Sequence, residues 1–128
     1  MGFDMSDVRR FAGVLLTSDR RVRPAVAKAV KKAAMNVKRD AQDNIRGQTR
    51  GQYTKHYPKA ITFEMQAGGL QAEVGPEVGR KQAFLGKILE FGTATSPAYP
   101  HLYPAADAEI PGLEQGIMQA VDDAMLEG

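Results

Sequence analysis

Between Ile88 and Pro104 the chain reads Ile-Leu-Glu-Phe-Gly-Thr-Ala-Thr-Ser-Pro-Ala-Tyr-Pro-His-Leu-Tyr-Pro, and this run restricts the fold more than any other. Phe91 closes an apolar stretch, and Gly92 is the residue best able to take a positive φ just past a helix end. Thr93 and Ser96 carry hydroxyls that hydrogen-bond locally to a turning backbone. Pro97, Pro100 and Pro104 then fix their own φ angles and push Ser96, Tyr99 and Tyr103 toward extended backbone, which makes residues 92–104 a stiff strap. Tyr99, Leu102 and Tyr103 give that strap apolar surface to pack. Pro104 suits the first residue of a helix continuing through Ala105 and Ala106. The run therefore predicts a buried Phe91, a buried Leu102, a positive φ at Gly92, and a terminal helix held against the body of the domain.

At 128 residues the chain has room for one core, and it is read as a single domain over 1–128. The absence of cysteine excludes disulfides and thiolate metal sites and is compatible with a reducing compartment. The apolar run from Phe11 to Leu16 is too short for a membrane span or a signal-peptide core, so a soluble, unprocessed protein is expected. A net charge of +2 conceals a division: residues 1–59 hold 14 Lys/Arg against 5 Asp/Glu, and residues 60–128 hold 3 against 10. Such a split suggests an interaction surface, unless the fold interleaves the halves.

Ser6 is a good N-cap for a helix in which Val8, Phe11, Ala12 and Leu15 share a face, ending near Thr17. Pro24 suits the first turn of a longer helix reaching about Asn44 or Ile45, with Val26, Val30, Ala33, Val37 and Ala41 along one side. Lys28, Lys31, Lys32, Lys38 and Arg39 gather on its opposite side with Met35 among them. A solvent-facing stripe is the ordinary reading of such a charge run; Met35, of less use on a purely solvated face, keeps a protein or nucleic-acid contact as the alternative. Residues 46–58, from Arg46 through Gly47 to Pro58, lack apolar periodicity and read as a long loop, mobile in a free subunit. Its Arg50, Tyr53, Lys55 and Tyr57 suit either a protein interface or nucleic-acid stacking and phosphate contact. Ile61, Phe63 and Met65 alternate with polar residues, and Leu70, Ala72 and Val74 repeat the alternation after Gly68-Gly69, which predicts a hairpin. Phe84, Leu85, Ile88, Leu89 and Phe91 follow densely enough to predict an element buried on most sides, a short helix or a strand. Leu113, Ile117, Ala120, Val121 and Ala124 make a last amphipathic helix that Pro111-Gly112 kinks or restarts.

The chemistry-bearing patterns are incomplete. Gly75 to Gln82 follows a strand and contains Lys81, but Arg80 replaces the glycine of a phosphate-binding loop and Gln82 its metal-holding hydroxyl. His56 and His101 are the only histidines and share no helix spacing with a carboxylate, so no metal or cofactor is expected. Glu90 reads as a carboxylate that holds the turn by hydrogen bonds rather than as a general base.

Glu90, Phe91, Gly92 and Thr93, a spacer, then Pro97, Ala98, Pro100, Leu102, Pro104 and Ala105 before a terminal helix together resemble the neck or tail-completion family of long-tailed bacteriophages. The departures are His101, where an aromatic is commoner, and Pro111 inside the last helix. The resemblance implies an α+β fold, in which two N-terminal helices and a C-terminal helix pack on a small, mostly antiparallel sheet, akin to tail terminators. It also implies a virion structural protein without enzyme activity, assembled in the host cytoplasm. Such a protein forms a ring, six copies by tail symmetry, at the head-tail junction around the DNA channel. Its partners would be its own copies, connector or head-closure proteins, and terminator or tube proteins. A tail terminator ring is the alternative within this class. A basic nucleic-acid-binding module, using the long basic helix and the 46–58 loop, is the alternative outside it. In the ring reading, Lys28, Lys31, Lys32, Met35, Lys38, Arg39, Arg46, Arg50, Tyr53, Lys55 and Tyr57 contact an adjoining subunit or ring.

Overall fold

A computed structural model describes residues 22–50 and 54–126. The helix expected from Ser6 to Thr17 lies outside them. Helix α1 runs over Val22–Thr49, a short α2 over Tyr57–Ala60, strands β1 and β2 over Ile61–Gln66 and Gln71–Pro76, α3 over Gly86–Phe91 and α4 over Leu102–Leu126. Single 3-10 turns at Ala67–Gly69 and Ala83–Leu85 complete the order. The fold is α+β: two long helices and a two-stranded antiparallel hairpin, with α1 packed against both α4 and the hairpin.

The valine stripe of α1 explains its central place. Val26, Val30, Val37, Ala41 and Ile45 are all fully buried, and they pack with Ile61, Ala72 and Val74 of the hairpin and with Leu113 and Ile117 of α4. Each buried Val, Leu or Ile contributes about 1.5–3 kcal/mol, so this shared stripe is the main source of cohesion. The helix is longer than expected at both ends, starting at Val22 and taking in Gly47 to Thr49. The Thr49 hydroxyl donates to the Ile45 carbonyl at 2.8 Å and meets the Thr54 hydroxyl at 2.6 Å, tying the helix end to the returning chain.

The hairpin pairs Ile61 with Pro76 through Gln66 with Gln71. Its turn needs glycine twice over. Gly68 and Gly69 have φ of 66° and 92°, and a Cβ on Gly69 would stand 2.7 Å from the Ala27 side chain, so the turn lies directly on α1.

The region expected as a loop contributes to the core. Tyr57 is fully buried and Thr54 nearly so, because α2 packs on α1 and turns the Tyr57 ring inward against the His101 ring. Gln82, the residue that spoils the phosphate-loop pattern, caps this short helix: its side-chain oxygen accepts from the His56 and Tyr57 amides at 2.8 and 3.0 Å.

Two further expectations need correction. The 83–91 segment is helical, but only Gly86, Leu89 and Glu90 of it are buried, Leu85 packs against the core half-buried, and Phe91 is 58% exposed. One short helix has one inward face, and Leu89 with Glu90 occupies it. Helix α4 starts at Leu102, two residues before Pro104, and passes through Pro111 as a single helix. Pro111 and Asp107 are both exposed, so the Asp107 carbonyl that loses its donor is open to water.

Candidate interaction surfaces

Glu90 links α3, the strap and α4. Its Oε1 accepts from the amides of His101 at 3.1 Å and Leu102 at 2.8 Å, and its Oε2 from that of Tyr103 at 3.4 Å. These are the amides at the start of α4, which no local side chain caps, and a carboxylate also complements the positive end of the helix dipole. Gly92 makes the geometry possible. It has φ 73° and ψ −177°, a region open essentially to glycine, and a Cβ there would stand 2.9 Å from the Ser96 carbonyl oxygen and the Ala98 nitrogen. The strap is fastened along its length. Tyr99 donates its amide to the Leu89 carbonyl at 2.6 Å, Thr93 Oγ1 accepts from the Ser96 amide at 3.0 Å, and Gln48 and Asn44 of α1 donate to the Pro100 and His101 carbonyls. Leu102 is buried as expected.

Behind Glu90 runs a buried polar chain that sequence reading missed. His101 Nδ1 lies 2.8 Å from the Tyr99 carbonyl and 3.2 Å from Glu90 Oε1, and Nε2 lies 2.7 Å from the Tyr57 hydroxyl. A carbonyl only accepts, so Nδ1 carries the proton and Nε2 receives one from Tyr57. Burial lowers the His101 imidazole below its ordinary 6.5; the Tyr99 carbonyl and the Glu90 charge pull the other way without prevailing. Burial first, and the Glu90 charge second, push the Tyr57 phenol well above its ordinary range. Tyrosine, histidine and glutamate in series have the form of an oriented base. Tyr57 and His101 are fully buried and Glu90 is 4% exposed, so this chain holds elements together and cannot reach a substrate.

On the outside, charge is segregated by helix. Helix α1 carries Arg23, Lys28, Lys31, Lys32, Lys38, Arg39 and Arg46 against Asp40 and Asp43; α4 carries Asp107, Glu109, Glu114, Asp122 and Asp123 and no Lys or Arg. Arg23 stands in the first turn of α1 and Asp123 in the last turn of α4, each opposed to the helix dipole, at a cost of about 0.3–1 kcal/mol for such placements. Among the described residues Lys28, Lys31, Lys32 and Lys38 make no ion pair, and neither do Asp107, Glu114 and Asp122. Lys31, Lys32, Met35, Lys38 and Phe63 line a shallow groove of about 440 Å³ on the outer face of α1, with Lys38 Nζ 6.0 Å from the Phe63 ring centre. Met35 is 52% exposed at its centre.

The remaining predicted contact residues scatter. Arg46 pairs with Asp43 on the same helix, Arg50 and Lys55 are exposed beyond its end, and Tyr53 lies outside the described residues. Tyr57 is no surface residue at all, for the reason just given. Sequence reading also missed an apolar surface: Phe84 and Ile88 are exposed, and Phe91 stacks obliquely on exposed Tyr103, with ring centres 5.9 Å apart. Among the described residues no cluster of His, Asp or Glu is placed to hold a metal, and no helix is long and apolar enough to cross a membrane.

The model of the HK97-gp10-like family, described as a tail component of bacteriophage, matches residues 17–92, more than half of the chain. The chain belongs to the HK97-gp10-like family. The match spans α1, the hairpin and α3 and ends on Gly92, so it contains Glu90 and Phe91 but neither the strap prolines nor α4. No curated protein and no solved structure matches the chain. As an HK97-gp10-like protein it is a structural component of the phage tail and belongs to the virion.

Proposed function

We propose that this protein forms a homo-oligomeric ring at the head-tail junction, which joins the connector below the capsid to the end of the tail tube and surrounds the DNA channel. Six copies would match the symmetry of a tail. The observation that supports a ring most directly is the presence, on one small chain, of a basic helix and an acidic helix, on which Lys28, Lys31, Lys32 and Lys38 and, opposite in sign, Asp107, Glu114 and Asp122 make no ion pair among the described residues. Copies related by rotation bring unlike flanks together and close the assembly without a second protein. Membership of a tail-component family supports the location. The subunit works by geometry and binding, with Glu90 and the strap keeping α4 rigid against α1.

The test is complementation. Particles made without this chain should accumulate as DNA-filled heads and finished tails that do not join, and adding the purified protein should restore infectivity. Tails of uncontrolled length would instead indicate a terminator ring that stops tube growth. Normal joined particles would refute a role at the junction.

A further inference from the structure

We infer that in the ring the outer face of α1 of one copy lies along an acidic and apolar stripe of α4 on the next copy; this rests on the ring reading above. The α4 stripe consists of Asp107, Ile110, Glu114, Met118 and Asp122, all exposed. At about 100° per residue these side chains fall within roughly a third of the helix circumference. The stripe mirrors the α1 face in kind: carboxylates around Ile110 and Met118 on one side, ammonium groups around Met35 and Phe63 on the other. Polar residues at the rim of an interface with methionine at its centre fit a protein contact.

The two faces are placed to meet between copies and kept from meeting within one. Gln119 and Asp123 share a groove with Lys28 and Lys32, so that side of α4 looks toward the outer face of α1. Asp107, Ile110, Glu114 and Met118 lie nearly half a turn further round α4, on the flank away from those lysines. A basic flank and an acidic flank facing different ways form a heterologous pair, the kind that generates rings. Lengths agree as well: 28 residues in α1 and 25 in α4 give helices of about 42 and 38 Å. The occupant of the α1 groove is therefore a second copy of this chain, and the lysines are turned from the DNA.

The chain has no cysteine, so two can be placed at will. Particles are grown with Met35→Cys, Met118→Cys or both, treated with a short bismaleimide cross-linker, and probed for this chain on a denaturing gel. The double variant should give a ladder of covalent multimers ending at the copy number of the ring, and each single variant should stay monomeric. Dimers from a single variant would show like meeting like and overturn the inference, as would a double variant that stays monomeric in particles containing the chain in full. Absence of the chain from purified particles would instead defeat the ring reading itself. In parallel, Lys31→Glu with Lys32→Glu should lower incorporation about tenfold or more, and Asp107→Lys with Glu114→Lys should restore much of it. Loss without rescue, with the lysines protected by DNA, would assign the face to phosphate contact and reject the proposal.

Discussion

Replacing Glu90 tests the physical basis of the fold most sharply, because a buried carboxylate holds the start of α4 from another element. In Glu90→Ala the amides of His101 and Leu102, now bonded at 3.1 and 2.8 Å, lose their acceptor where water does not reach. An unsatisfied buried donor costs about 1–3 kcal/mol, so two cost about 2–6. The Tyr103 contact, at 3.4 Å, is long and adds little. Glu90→Gln keeps one oxygen for the two short bonds and loses only the charge, at about 1–2 kcal/mol. For 128 residues the unfolding entropy is about 0.27 kcal/mol/K, so alanine should lower Tm by roughly 7–22 °C and glutamine by about 4–7 °C. Urea and thermal unfolding give the energies, and hydrogen exchange at the Leu102 amide reports the site. An alanine variant within about 0.5 kcal/mol of the parent, with Leu102 still protected, would refute the claim that Glu90 holds the helix.

Gly92→Ala should cost about 1–3 kcal/mol from φ 73° with ψ −177°, and more if Ser96 and Ala98 resist the added Cβ; unchanged urea unfolding would deny the strain. Phe91→Ala should cost no more than about 1.5 kcal/mol in the free subunit, since its ring is 58% exposed and its main partner is Tyr103, against about 3–5 for a core phenylalanine. A core-sized loss of Tm would show that the ring is covered. Stability should fall as pH drops below about 6.5, because the unfolded His101 takes up a proton that its lowered pKa in the fold refuses. It should fall again above about pH 10, where an unfolded Tyr57 ionises before the buried one. Urea titrations across both windows check the signs, and flat profiles would mean that the buried pair titrates normally.

What could be read from sequence follows from how local each cause is. The valine spacing of α1, the alternation around Gly68-Gly69 and the turn at Gly92 are settled by neighbours within a few residues, and the structure contains all of them. The start of α4 was misplaced because its cap comes from Glu90, twelve residues before Leu102, and a search for a nearby Ser or Asp cannot find it. Tyr57 and His101 meet across 44 positions through one hydrogen bond, which no periodicity records. Phe84, Ile88 and Phe91 are apolar in the way core residues are; sequence cannot say whether such a face belongs to its own core or is left uncovered in a single chain. Met35 among lysines was legible as an apolar residue on a charged face, and the structure leaves it exposed. The α4 stripe proposed to meet it depends on the helix continuing through Pro111, which puts Asp107, Ile110, Glu114 and Met118 on one side.

A cryo-EM reconstruction of the intact particle tests the central claim most directly. The account predicts a closed ring of this chain between connector and tail tube, with Lys31, Lys32 and Met35 of each copy against Asp107, Glu114 and Met118 of the next. A particle without such a ring, or one in which these lysines face DNA phosphate in the channel and no carboxylate lies within reach, would contradict it.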